Sequence, residues 1–341
     1  MDFNLKKPDL LAQEPTDVTG DSVQALKRGN EGDRSNMEKK NYKILLACDG
    51  SDLALDAVKY IGETFPPGRT QVVLFYVETK IPRSFWSMEK QMDFRYQPSH
   101  IRASMAYQLK HINEFMEQAR KMLLDAGFSE ASVIKKIHAK KQGVVRDIVS
   151  ESLQEYDAVV LGRKGHSRMK DVLFGSVPER LLGKIRNIPL IIVGGVPVHK
   201  NILVAFDGTR VIRRAIKCIG SMIEDPGAKF LLCHGTKTPG ALSRGDGDGD
   251  GEDTRENIDF LFDQSKTYLV DAGFDASQVL CEIMEGRPNF SEDVIEKARQ
   301  GNYGTIVIGR RNLGFLQQLF TGRVGNNFFQ LADNLIIWVV Q

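Results

Sequence analysis

Residues 162–176 read GRKGHSRMKDVLFGS. They follow residues 158–161, an apolar run too short for a helix and bounded by Asp157 and Gly162, which therefore reads as a buried strand. Two residues separate Gly162 from Gly165 and nine separate Gly165 from Gly175. Ser176 then opens SVPE, where Ser176 and Glu179 have the spacing of a capping box at a helix start. Strand, glycine loop and helix N-terminus in that order gather unpaired amides and the positive end of a helix dipole. Glycines let the backbone approach a ligand closely, so the stretch predicts a phosphate site.

Upstream, residues 43–48 form a first apolar strand, followed by Asp49, Gly50 and Ser51 and a helical pattern at Leu53, Ala57, Tyr60 and Ile61. Residues 71–77 give a second strand. Met105, Leu109, Ile112, Met116, Ala119, Leu123 and Ala126 then recur at helical spacing until Gly127 stops them. Residues 131–138 and 190–193 read as further strands and 144–153 as a helix. Such alternation implies a parallel sheet with helices on both faces and a ligand beyond the strand C-termini at the topological switch point. Asp49 ends the first strand and Gly162 the fourth, so one crevice can hold both. Asp49 reads equally well as a cap of the next helix. Residues 80–102, with Phe85, Trp86, Met88, Phe94 and Tyr96, exceed an ordinary loop. They read as a lid or docking surface, or as aromatic packing on the domain's own flank.

Downstream the pattern begins again. KNILVAFDGT from residue 200 answers NYKILLACDGS from residue 41, LVDAGF at 269–274 answers LLDAGF at 123–128, and TIVIGR answers AVVLGR. The second copy keeps Asp207, Gly309 and Gly322 but has Asn312 in place of Gly165 and Arg323 in place of Ser176. Arg323 removes a capping hydroxyl, typically worth about 1 kcal/mol, and sets a long cation where phosphates would lie, as a clamp or as a plug. An altered second site at Asp207, Gly309, Asn312, Gly322 and Arg323 is the expectation.

The GxxG, nine residues, GS spacing resembles the nucleotide signature of the universal stress protein family, in its ATP-binding branch, and the repeat extends that resemblance over nearly the whole chain. Neither GxGxxG nor GxxxxGK[ST] occurs. The resemblance implies two tandem Rossmann-like, doubly wound α/β domains, each a five-stranded parallel sheet flanked by helices. They would span residues 41–197 and 199–341 after a polar tail at 1–40. It implies ATP as ligand, with Mg2+ or Mn2+ carried by its phosphates. Ala47 and Asp49 would line the adenosine pocket and the Val77 backbone would meet the base. Gly162, Arg163, Gly165, Gly175, Ser176 and Val177 would surround the phosphates. In this family the last strand pairs subunits. Here the copies would pair as an internal pseudo-dimer with Val193 and Trp338 near the seam, leaving homo-oligomers and an unknown protein partner open. The expected output is nucleotide-dependent regulation in a stress response. The alternatives are a slow ATPase or self-phosphorylating enzyme using His166 with Arg163 or Lys164, and a nucleotide-free interaction module.

Composition narrows the field further. A net charge of +2 gives no argument for nucleic acid, although Lys135, Lys136, Lys140, Lys141, Arg163, Lys164, Arg168 and Lys170 cluster in sequence, as a solvated face or a polyphosphate screen. Cys48, Cys218, Cys233 and Cys281 form no CxxC and sit in apolar segments, which predicts buried thiols in a reducing compartment and no zinc site. No apolar run reaches membrane-spanning length, and a cytoplasmic location is expected. Asp246, Asp248, Asp250 and Gly251 start like a calcium loop, but Asn257 stands where a bidentate glutamate is needed, so a flexible acidic loop is the expectation.

Overall fold

The inner strands are short runs of branched and aromatic residues buried on both faces, as a helix-covered parallel sheet requires. The first repeat places β1 (Tyr42–Cys48), β2 (Thr70–Glu78), β3 (Val133–Ala139), β4 (Ala158–Gly162) and β5 (Leu190–Val193) in alternation with helices. Those helices are α1 (Asp52–Thr64), α2 (Pro98–Asp125), α3 (Val144–Ser152) and α4 (Ser176–Leu182). The second has β6 (Asn201–Ala205), β7 (Phe230–Gly235), β8 (Val279–Met284), β9 (Tyr303–Gly309) and β10 (Ile336–Val340), with α5 (Arg210–Met222), α6 (Arg255–Asp271) and α7 (Phe290–Gln300). This computed structural model describes residues 41–78, 98–163, 176–195, 197, 199–223, 225, 227–235, 255–284, 290–309 and 334–340. The tail, the aromatic residues of the insert, residues 164–175 and 310–333, and the acidic loop lie outside them.

The strands form one ten-stranded sheet in the order β3-β2-β1-β4-β5-β10-β9-β6-β7-β8. Each half is a five-stranded parallel sheet, and the halves join where β10 runs antiparallel to β5. Val160 and Val307 hold the same place in their repeats, and their strand partners, Ile191 and Trp338, face each other across this seam. The expected pseudo-dimer seam therefore runs through the closing strands, with Val193 opposite Ile336. The two repeats do not have separate cores. One core lies on the α1, α2, α5, α6 face and the other on the α3, α4, α7 face, and each includes residues of both repeats. Alternate strand residues point to opposite faces, so a sheet continuous through the seam sorts its apolar side chains by face and not by repeat.

The DAGF segments end α2 and α6 identically. Gly127 and Gly273 take positive φ (95° and 107°), and the amides of Phe128 and Phe274 return to the Leu123 and Leu269 carbonyls. Both phenylalanines are buried, which completes a hydrophobic C-terminal cap. Two boundaries differ from the sequence reading by two residues or more. Helix α2 starts at Pro98, inside the stretch read as an insert, because proline at a first helical position gives up no hydrogen bond. Strand β3 starts at Val133, because residues 130–132 form a 3-10 turn capped by Ser129.

Candidate functional site

Strand β1 lies between β2 and β4, so the chain reverses direction across the sheet at the β1–β4 boundary. Ala47 pairs with Leu161 there, which brings Asp49 and Gly162 to the two sides of one crevice at the strand C-termini. Directly after β1 comes a built turn. One Asp49 oxygen accepts from the Ser51 amide at 3.0 Å and from its hydroxyl at 2.6 Å, and Gly50 takes a φ of 81°. Ser51 Oγ in turn accepts from the Ala54 amide at 3.3 Å and is the N-cap of α1. Asp49 thus supports the cap without being it, and its side chain is exposed at the crevice.

Gly162 has a structural reason of its own. A Cβ there would sit 2.9 Å from the Leu53 carbonyl oxygen, so glycine lets the first turn of α1 close onto the end of β4. The next residue, Arg163, is buried, and its amide donates to the Val193 carbonyl at 2.8 Å. Ser176, exposed, is the first residue of α4, one position inside the cap expected for it, and Val177 packs partly against the core. Gly165 and Gly175 lie outside the described residues, as do His166, Lys164, Arg168 and Lys170.

On the β2 side, Val77 is buried and pairs with His138. The rim beside it, residues 140–143, is fixed by Asp147 at the start of α3. Its two oxygens accept from the amides of Lys141 (2.8 Å) and Gln142 (3.0 Å), and Lys140 donates its amide to the Glu78 carbonyl at 2.9 Å. Burial alone would raise the Asp147 pKa. The amides of Gln142, Lys141 and Gly143 more than offset it, and the carboxyl is held below its ordinary value. Of the sequence-clustered cations, Lys135 bonds Glu117, and Lys136 bonds both oxygens of Glu151 at 2.8 Å. Burial, with Asp49 adding to it, pushes the Cys48 thiol up, so that sulfur stays protonated beside the crevice. The expectation of four buried thiols is corrected for two. Cys218 is half-buried and Cys281 is exposed, the latter because β8 is an edge strand with one side open.

The second repeat rebuilds the same turn. Asp207 accepts from the Thr209 amide (3.0 Å) and hydroxyl (2.7 Å), Gly208 takes a φ of 69°, and Thr209 caps α5 through the Ile212 amide at 3.3 Å. Gly309 stands where Gly162 does, but a Cβ on it would meet the Asp207 carboxylate at 3.2 Å instead of a helix backbone. Phe206 and His234 replace Cys48 and Tyr76, and His234 Nδ1 lies 2.9 Å from the Phe206 carbonyl. Asn312, Gly322 and Arg323 lie outside the described residues. Among the described residues there is no group of three or more His, Cys, Asp or Glu able to hold a metal, and no helix long and apolar enough to cross a membrane.

The family model of the universal stress proteins matches residues 41–194 and again 199–334. The chain belongs to the universal stress protein family. Among solved structures it is similar to a universal stress protein from Archaeoglobus fulgidus DSM 4304, with 19% identity and a TM-score of 0.56 over 89% of this chain and 97% of that one, which shows the tandem fold. Universal stress protein UspA from Lactobacillus plantarum matches at 17% identity and a TM-score of 0.33, over 45% of this chain and 97% of its own. A universal stress protein in complex with cAMP matches at 18% identity and 0.30, over 45% and 97%. No curated protein matches the chain.

Within this universal stress fold, Ala47, Asp49, Val77, Gly162 and Arg163 lie at the neighbouring C-terminal ends of β1, β2 and β4, and Ser176 and Val177 open α4. Sequence reasoning missed Asp147 and the capping role of Ser51. Both left signals: Asp-Gly-Ser and Asp-Gly-Thr are side-chain turn sequences, and Asp147 and Glu151 lie four apart on a helix whose other buried residues are Val145, Ile148 and Ser152.

Proposed function

We propose that the first repeat binds ATP and that the protein is a nucleotide-dependent regulator of the stress response, acting through its conformation or a partner. The observation that carries this reading is the Asp49–Gly50–Ser51 turn, exposed at the switch point beside the start of the glycine loop. Ala47, Asp49 and the Val77 backbone would hold the nucleoside. Gly162, Arg163, Gly165, Gly175, Ser176 and Val177 would offer donors to the phosphates, which would carry Mg2+ or Mn2+. The donor set suits this, since backbone amides and a hydroxyl at the end of a glycine loop bind anions without a cation cage. Each charge-assisted bond contributes roughly 1.5–3 kcal/mol, so several together support micromolar binding.

The test is calorimetric titration of nucleotide-stripped protein with ATP, AMP and cAMP, with and without magnesium. One ATP per chain, lost in Gly175→Val and kept in Arg323→Ala, is expected. Two ATP per chain, one of them lost in Arg323→Ala, would make that arginine a phosphate clamp in the second repeat. No adenine nucleotide bound at millimolar concentration overturns the reading.

A further inference from the structure

Helix α1 touches the candidate site at one end and the second repeat at the other. Its first turn supplies Leu53, whose carbonyl closes on Gly162, where the glycine loop leaves β4. Two turns on, Tyr60 is buried in the seam and accepts a hydrogen bond from Trp338 Nε1 of β10 at 2.8 Å. Thr305 of β9 and Thr64 stand beside the same hydroxyl. Phe65, just beyond α1, stacks on the Trp338 ring at 6.0 Å and 14°. A cavity of about 20 Å³, the size of one water, lies against Tyr60 and is lined also by Thr64, Lys200, Asp225 and Thr305. In α5 the position of Tyr60 is Cys218, whose sulfur lies 3.3 Å from Met222 Sδ one turn along the same helix.

We infer that α1 couples the first repeat's site to the second repeat: displacement of the chain at Gly162 on ligand entry moves Leu53, and the helix passes it through Tyr60 to Trp338 and Thr305. The inference rests on the ATP reading above and adds a direction to it. Every link is a close contact or a hydrogen bond, and a helix held in a packed core moves as a body and does not deform continuously. Binding and its remote effect are then linked reciprocally, so the state of the Tyr60–Trp338 pair must also alter affinity at the site.

The experiment uses the full chain carrying Trp86→Phe, which leaves Trp338 as its sole tryptophan. ATP is titrated by calorimetry and by tryptophan emission, with hydrogen exchange of peptides covering β9 and β10. The expected result is a saturable emission change with the calorimetric midpoint and slower exchange in those peptides. Adding Tyr60→Phe should remove more than half of the emission change and shift ATP affinity by about 2- to 10-fold. Should Tyr60→Phe fold poorly, Thr305→Val breaks the same network from the other side and should halve the exchange effect. Calorimetric binding with unchanged emission and exchange overturns the coupling and leaves the ATP reading standing. So does a full emission change in Tyr60→Phe. Absence of calorimetric binding overturns both.

Discussion

In the first repeat a lysine on β3, Lys136, meets a glutamate on α3, Glu151. In the second the glutamate, Glu282, is on β8 and the lysine, Lys297, on α7. Strand registers put Lys136 and Glu282 at the same place, opposite Phe75 and Cys233, and both pairs are separated by the same 15 residues. The turns after β1 and β6 behave differently: Asp-Gly-Ser and Asp-Gly-Thr keep every hydrogen bond. An ion pair joining a helix to an edge strand needs only opposite charges. The turn needs an acceptor and two donors at fixed positions, and only one arrangement of side chains supplies them. The inverted pairs still differ in setting. Glu151 is buried and also accepts from Tyr156 Oη at 2.8 Å, whereas Glu282 and Lys297 each keep about a third of their side chain in solvent. That acceptor role pushes the Tyr156 hydroxyl up, after burial, while in the second repeat burial and then Glu282 push the Cys233 thiol up to about 12.

The sharpest way to break the comparison is to remove each glutamate. Glu151→Gln should cost about 1.5–3 kcal/mol in urea unfolding, as expected for lost charged hydrogen bonds, and Glu282→Gln less than about 1 kcal/mol, as expected of a half-exposed pair. Equal losses would mean that burial does not separate the two. A second contrast lies in the glycines. Gly162→Ala forces a methyl group onto the α1 backbone and should cost about 1–3 kcal/mol as overpacking. Gly309→Ala meets only a carboxylate and should cost less, by thermal unfolding of both variants. The smallest effect is a pH dependence. The Asp147 carboxyl is lowered from its ordinary 3.8, so its contribution is complete above that value and is lost as pH falls through the lower folded value. Asp147→Asn should therefore cost about 1 kcal/mol at neutral pH, and the gap from the unmodified protein should close below pH ~4. A gap that widens on acidification would assign the loop clamp to another group.

Much of this fold could be read before any coordinates. Apolar runs of strand length, the DAGF stops and the repeated DG turns each have a local cause, so the sequence around them is enough. What escaped was set by distant partners. Nothing within residues 158–163 tells that Gly162 answers to Leu53, more than a hundred positions earlier, and local chemistry alone made it a ligand glycine. The sharing of each face's core by both repeats follows from β5 and β10 meeting, a pairing between the last strand of each repeat. At the site, the carboxylate at the end of β1 was legible because its strand and loop were. Asp147 was missed: its helix spacing marked it as inward-facing, but its partners are backbone amides, which every sequence contains.

The seam has a genetic consequence. In a two-chain dimer closed by the same antiparallel strands, a residue at the place of Ile191 and Trp338 would face its own copy, and any substitution there would appear on both sides at once. Within one polypeptide the two sides are written separately, so an indole can lie opposite an isoleucine and reach a phenol on one flank only. The pairing is also unimolecular, and the assembled fraction does not fall as the protein is diluted. Two halves free to change one at a time can become unlike, and a molecule with unlike halves can receive at one end and report at the other.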